Sequence, residues 1–70
     1  MLVNQIAEAI RTRRKELDIT QSHLSELSDI SVNTIYKLER AQSNPSIEII
    51  QKLMDVLGLE LNIEVKKVNK

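Results

Sequence analysis

Residues 20–40 read TQSHLSELSDISVNTIYKLER, and this stretch holds two short amphipathic segments separated by a polar break. Thr20 and Ser31 stand directly before the two segments, where a side-chain hydroxyl can accept a hydrogen bond from a backbone amide of the first helical turn. The apolar positions are Leu24 and Leu27 in the first segment and Ile35 and Leu38 in the second. We therefore predict a helix after Thr20, a turn at residues 28–31, and a second helix from Val32 to about Arg40.

Two further helices are predicted on either side of this unit. Before it, apolar residues recur at spacings of three and four, at Val3, Ile6, Ala7, Ile10 and Leu17. Arg14 interrupts that apolar stripe. After it, residues 41–45 form a loop, Ser46 is a suitable N-cap, and Gly58 stands where a left-handed residue commonly ends a helix. The fourth helix is therefore expected to end near Leu57.

From residue 59 the hydrophobic period changes to two, which predicts a half-buried strand. The apolar positions of this strand are Leu59, Leu61, Ile63 and Val65, and they alternate with polar residues. The sequence offers no second strand to pair with it, and an unpaired strand leaves its backbone groups open along an edge. We therefore expect a homodimer joined by a two-stranded antiparallel ribbon, followed by a basic tail up to residue 70.

Composition excludes several classes of protein. The 70 residues contain no cysteine and one histidine, which argues against a disulfide scaffold and against a zinc site. Lysine plus arginine equals aspartate plus glutamate at ten each, so any contact with nucleic acid must use a local basic patch. No apolar run approaches the roughly 20 residues of a membrane span, and the N-terminal residues lack a signal-peptide pattern. We expect a single-domain cytoplasmic protein without a membrane segment, a cofactor or a metal.

The stretch from Thr20 to Arg40, with Asn44-Pro45-Ser46 and Leu57-Gly58 after it, resembles the helix-turn-helix of Xre-type, phage-repressor-like transcriptional regulators. The resemblance implies an all-α fold: a compact four- to five-helix lambda-repressor-like domain at residues 1–58. Residues 59–70 would then supply a C-terminal β-strand that pairs across a dimer, and the tail. Asp29 and Ala41 depart from the family pattern, since each stands where glycine is usual.

The resemblance assigns five residues to the face that enters the major groove of DNA: Val32, Asn33, Tyr36, Lys37 and Arg40. Side-chain chemistry supports this assignment independently. Asn33 can bond adenine at N6 and N7, Lys37 can reach guanine O6 and N7, and Val32 can contact a thymine methyl group. Tyr36 is the only aromatic residue and lies outside the Ile35/Leu38 stripe. Its alternative interpretation is a cap on a shallow apolar edge.

Contacts to the DNA backbone are expected from a second group of residues: Thr20, Gln21, Ser31, Ser43, Asn44 and Arg11. Gln21 resembles the family's polar residue at the start of the second helix, where amides approach a phosphate. An ordinary exposed glutamine is the alternative for Gln21, and a solvated charged face is the alternative for Arg11.

Arg14 faces the core side of the first helix, and a charge there requires a partner. Glu39, near the end of the third helix, is the natural one. The family resemblance also points to Arg14 and Glu39 as a structural ion pair that braces the recognition helix.

These features predict a sequence-specific, dimeric operator-binding regulator, and a repressor in particular. The helix-turn-helix followed directly by a strand also resembles HipB-type antitoxins, which repress their own operon and bind a kinase-like toxin. The alternative is a protein-interaction module that keeps the fold without binding DNA, which the neutral net charge permits. No catalytic constellation or small-molecule site emerges, so we do not expect an enzyme.

Overall fold

The fold, as described for residues 2–62 by a computed structural model, consists of four α-helices joined by turns and loops. Helix α1 spans Leu2–Glu16, α2 Gln21–Ser28, α3 Val32–Glu39 and α4 Ile47–Leu57. Helix α1 packs against α3 and α4, and α2 packs against the same two helices. The predicted all-helical class and the four predicted helices are thus confirmed.

Three helices begin at the hydroxyl residues that the sequence indicated. Each hydroxyl oxygen accepts a hydrogen bond from the backbone amide three residues later, which satisfies one of the amides that a helix start leaves unpaired. The bonds run from the amide of His23 to Thr20 Oγ1 (3.0 Å), of Thr34 to Ser31 Oγ (3.1 Å), and of Ile49 to Ser46 Oγ (3.2 Å). The sequence therefore locates the starts of α2, α3 and α4 to the residue.

The core lies between the four helices and consists of aliphatic side chains. Its buried members are Ile10, Leu24, Ile30, Ile35, Leu38, Leu53 and Leu57. Leu27, the second apolar residue of α2, is 54% exposed, whereas Ser28 is buried beside Leu24. The reason is that α2 packs on both α3 and α4 through the side that bears Leu24 and Ser28. The Ser28 hydroxyl is satisfied there because it donates to the Leu24 carbonyl at 2.7 Å.

Left-handed backbone conformations end α2, follow α3 and end α4. Asp29 has φ 61°, Ala41 φ 55° and Gly58 φ 69°. Aspartate tolerates this region better than most residues, and glycine adopts it without steric cost. Ala41 carries the steric penalty of a Cβ there, and its amide still bonds the Leu38 carbonyl at 3.0 Å. Asp29 and Ala41, which stand where glycine is usual in the family pattern, thus both occupy glycine-type backbone positions.

The C-terminal strand is not confirmed. Leu59–Asn62 follow α4 without regular secondary structure, and no strand occurs within residues 2–62. The physical reason is that a strand is completed by backbone bonds to a second strand, and the described part of this single chain offers none. Ile63 and Val65, the other two predicted strand positions, lie outside the described residues.

The strain at Ala41 leads to a stability prediction. Ala41→Gly is expected to raise the free energy of unfolding by about 0.5–1 kcal/mol, because the steric penalty removed exceeds the extra entropy that glycine gives the unfolded chain. Urea denaturation measures the change. Ala9→Gly is the matched control, since Ala9 is exposed within α1 and the same substitution should cost about 1 kcal/mol there. Equal destabilisation by both substitutions would contradict the strain at Ala41.

Candidate nucleic-acid interface

One side of α3 is covered by exposed side chains, which we call the α3 face. Its members are Val32, Asn33, Tyr36, Lys37 and Arg40, the C-cap residue. At 3.6 residues per turn they fall within an arc of about 140°. The opposite side of the helix is buried through Ile35 and Leu38. The structure therefore brings the five residues predicted to read bases onto one exposed surface.

The α3 face is positively charged although the whole chain has a formal net charge of zero. Lys37 and Arg40 are exposed, and the single acidic residue of α3, Glu39, is only 3% exposed. The Glu39 carboxylate is neutralised inside the protein by Arg14. This arrangement supplies the local basic patch that a contact with DNA phosphates requires.

Arg14 and Glu39 form a two-point ion pair between α1 and the end of α3, in which Glu39 is buried and Arg14 is partly buried. Arg14 Nε donates to Glu39 Oε2 at 2.7 Å, and Nη2 donates to Oε1 at 2.9 Å. A third bond, from Nη1 to the carbonyl of Ile19 at 2.9 Å, ties the same guanidinium to the loop before α2. One side chain thus connects α1, the α1–α2 loop and α3.

The ion pair also stabilises the charged form of Arg14. The hydrogen bond to Glu39 raises the pKa of the Arg14 guanidinium, while burial acts in the opposite direction. A raised folded-state pKa for a cation stabilises the fold at every pH below the unfolded-state value, which for arginine lies far above neutrality. Protonation of Arg14 therefore makes no pH-dependent contribution to stability across the physiological range.

Gln21 and Thr20 lie at the start of α2, beside this ion pair. Gln21 Nε2 donates to Glu39 Oε1 at 3.1 Å, so the half-buried glutamine amide joins the Arg14–Glu39 pair. Thr20 is exposed, and its hydroxyl is used as the N-cap. The sequence left two interpretations open for Gln21, a phosphate contact and an ordinary exposed glutamine. The structure shows that Gln21 is bonded to Glu39 and only half-exposed, and that part of its side chain remains accessible.

Ser31 lies at the start of α3, next to the α3 face. Its exposed hydroxyl accepts from the Thr34 amide and donates to Thr34 Oγ1 at 2.8 Å. The backbone amides at the start of a helix point outward and favour an anion. Ser31 therefore sits where the protein can approach a phosphate at the edge of a groove.

Ser43 and Asn44 follow α3 in the loop that leads to α4. Asn44 is exposed, whereas the Ser43 hydroxyl oxygen is buried and has no hydrogen-bond partner among the described residues. The structure therefore presents Asn44 to solvent and does not present the Ser43 hydroxyl. A phosphate contact through Ser43 would require the loop to change conformation.

Arg11 and Arg13 bond carbonyls at the ends of other helices. Arg11 Nη1 donates to the carbonyl of Glu39 at the end of α3, and Arg13 Nε donates to that of Leu57 at the end of α4, both at 2.9 Å. A cation at a helix C-terminus is favoured by the helix dipole. Neither role is predictable from the sequence, because nothing in the spacing of α1 residues indicates which distant carbonyls they reach.

Metal-binding groups, the single histidine and membrane-spanning helices are the remaining features to consider in the described residues. Within residues 2–62 no group of three or more histidine, cysteine, aspartate or glutamate side chains could hold a metal ion. His23 is exposed on α2. Across the same residues, no helix is both long enough and apolar enough to span a bilayer.

The buried pair leads to a second stability prediction. Arg14→Ala is expected to lower the free energy of unfolding by about 3 to 5 kcal/mol, because Glu39 would remain as a buried carboxylate without its partner. Arg14→Lys keeps the charge but lacks the planar fork, so a smaller loss is expected. Thermal and urea unfolding measure both.

Lys15→Ala is the control for this prediction, because Lys15 is the exposed neighbour of Arg14 and its removal should change stability by no more than about 0.5 kcal/mol. An Arg14→Ala chain that melts at the wild-type temperature would contradict the structural role of the pair.

Comparison with known proteins places the chain in a family. A model of the family described as Helix-turn-helix, HTH_3, matches residues 10–63. A protein of Methanococcus vannielii named as an HTH-type transcriptional regulatory protein is 36% identical over 67 residues, which cover 96% of this chain and 20% of the relative. This chain therefore spans about a fifth of that relative's length.

Two shorter relatives are named as HTH-type transcriptional regulators. The one from Haemophilus influenzae is 38% identical over 74% of this chain and 53% of its own length. The one from Methanothermobacter thermautotrophicus is 37% identical over 73% of this chain and 74% of its own length. No solved structure matches the chain significantly. The resemblance to Xre-type regulators is thus confirmed, and the chain belongs to the helix-turn-helix family HTH_3.

Proposed function

We propose that this chain binds double-stranded DNA of defined sequence and represses transcription at that site. The observation that carries the proposal is the α3 face, a single exposed surface with two cations, an amide, an aromatic ring and an aliphatic side chain. A helix of this width enters the major groove, where each base pair presents a distinct pattern of donors and acceptors.

Three residues of the α3 face have roles that follow directly from their chemistry. Asn33 and Val32 lie in the first turn of α3, and we assign them to an adenine edge and a thymine methyl group. Lys37 lies one turn after Asn33 on the same side and supplies donors for guanine O6 and N7. Recognition helices contact bases mainly through their N-terminal residues, which favours Val32 and Asn33 as principal readers.

Contacts to the DNA backbone would hold the helix in register. We assign these contacts first to Thr20, Ser31 and Asn44, which are exposed, and to Gln21, which is half-buried. Arg11 is also half-buried and already bonds the Glu39 carbonyl, so a phosphate contact would use its remaining donors. Of the residues predicted to contact the DNA backbone, Ser43 has the least structural support, because its hydroxyl oxygen is buried.

We further propose that the protein acts as a homodimer on a palindromic operator. An apolar groove of about 380 Å³ lies between the start of α1 and the start of α4, and Val3, Ile47 and Leu61 line part of it. Ile47 is 61% exposed and Leu61 38% exposed, so this surface lacks a cover within residues 2–62. The alternation of apolar residues continues past Leu61 to Ile63 and Val65, which supports antiparallel pairing with a second copy.

The antitoxin role is a narrower form of the same proposal. A helix-turn-helix domain followed directly by a dimerising strand suits a protein that represses its own operon and binds a kinase-like toxin. The support for this role is the resemblance in domain order alone, so the DNA-binding proposal does not depend on it.

Selection of bound sequences from a random duplex pool tests the proposed function. Repeating the selection at two salt concentrations separates sequence-specific binding from purely electrostatic binding. We expect an enriched palindrome with half-site centres about 34 Å apart, one helical turn of DNA. Weak binding that disappears as salt rises, with no enriched sequence, would contradict the proposal and favour the protein-interaction module.

Substitution of two α3 residues sharpens this test. The double substitution Asn33→Ala and Lys37→Ala removes two predicted base contacts, each worth about 1–3 kcal/mol, so affinity for the selected duplex should fall by at least tenfold. Lys52→Ala is the matched control, because it removes an exposed lysine from α4 and should leave the preference unchanged. Circular dichroism and a melting curve verify that both variants fold. Equal losses in both variants would show non-specific charge effects and contradict the assignment.

A further inference from the structure

A stacked pair of side chains occupies part of the α3 face. The guanidinium carbon Cζ of Arg40 lies over the ring of Tyr36, 5.3 Å from the ring centroid. This distance is within the range of an attractive cation–π contact. Tyr36 is 46% exposed and is the only aromatic residue of the chain. The stack therefore lies on the solvent-facing surface of α3 and contributes little to the core.

The stack changes where the positive charge of Arg40 is located. Arg40 is the C-cap residue of α3, about 12 Å along the helix axis from Val32 at 1.5 Å per residue. A cation at that end is ordinarily attracted to the terminal carbonyls of the helix. Stacking on Tyr36, whose position is one turn earlier, directs the guanidinium back toward the N-terminal half of the helix. The charge then lies near the residues that we assign to base reading.

The surroundings leave the hydrogen-bonding edge of Arg40 available. The ion pairs found within residues 2–62 are Arg13–Glu16 and Arg14–Glu39, and neither involves Arg40. An aromatic ring supports one face of a guanidinium and leaves its N–H donors unused at the edge. Stacking also limits the rotamers of a long side chain, which reduces the entropy lost when that side chain binds a ligand.

We propose that Tyr36 is a positioning residue that holds Arg40 for the recognition of a guanine in the target DNA. This inference rests on the proposed function and adds a specificity determinant to it. The guanidinium donates two parallel hydrogen bonds to O6 and N7 of the guanine, the pairing that its planar fork fits best. Without the ring, Arg40 returns to the end of the helix, where it meets a phosphate that carries no sequence information.

Duplex selection with four forms of the protein tests the proposal: wild type, Arg40→Ala, Tyr36→Leu and Tyr36→Phe. Arg40→Ala should abolish the preference for one guanine in each half-site, a change of about five- to 150-fold against the other bases. Tyr36→Leu should weaken the preference for that same guanine by about two- to fivefold, the strength of an exposed cation–π contact. Tyr36→Phe should retain the preference, because the ring remains.

The outcomes separate this proposal from its alternatives. If Tyr36→Phe loses as much preference as Tyr36→Leu, the tyrosine hydroxyl makes the contact and the positioning role is wrong. If Arg40→Ala weakens binding to every sequence alike and lowers the salt dependence by about one ion, Arg40 contacts a phosphate and the guanine assignment is wrong.

The selection distinguishes a failure of the proposed DNA-binding function from a failure of the role of Tyr36 and Arg40. A wild-type protein that selects no sequence at all contradicts the proposed function, and the positioning role falls with it. A wild-type protein that selects a guanine which Tyr36→Leu and Arg40→Ala both leave unchanged contradicts only the role of Tyr36 and Arg40.

Discussion

The buried ion pair between Arg14 and Glu39 fixes α3 to α1, and the exposed α3 face depends on that attachment. A chain of 70 residues has a small core, so one misplaced charge has a large effect on its stability. The same pair removes the only carboxylate of α3 from the surface that we propose for DNA. A single interaction therefore both stabilises the fold and makes a neutral protein locally basic.

Polar contacts around this pair complete the attachment of α3. Arg11 bonds the last carbonyl of α3, Gln21 bonds Glu39 from the start of α2, and Ser31 caps the first turn. Helix α3 is only eight residues long, and a helix of that length is not stable without tertiary contacts. These contacts hold both ends of α3, and the aliphatic core holds its inner side. The proposed base-reading residues are thus presented on a helix with a fixed position.

The sequence predicted the helices well because their starts depend on local chemistry. Hydroxyl caps at Thr20, Ser31 and Ser46 and the glycine at residue 58 act within one helical turn. It could not predict that Arg11 and Arg13 reach the ends of α3 and α4, because those distances depend on how the helices pack. Nor could it predict that Ser28 is buried while Leu27 is exposed, because apolar spacing in an eight-residue helix does not determine which side meets two neighbours. The strand predicted from residue 59 onward does not occur in residues 59–62, and its pairing would require a second chain, whose presence one sequence does not specify.

The most direct test of the account is nuclear magnetic resonance of the ¹⁵N-labelled protein, titrated with a duplex enriched from the random pool. The account predicts that the largest amide shifts occur at residues 31–40 and at Thr20 and Gln21, while the Arg14 Nε–H signal stays protected from exchange, free and bound. Shifts concentrated on α4, or an Arg14 Nε–H that exchanges freely with water, would contradict a DNA-reading α3 held in place by the Arg14–Glu39 pair.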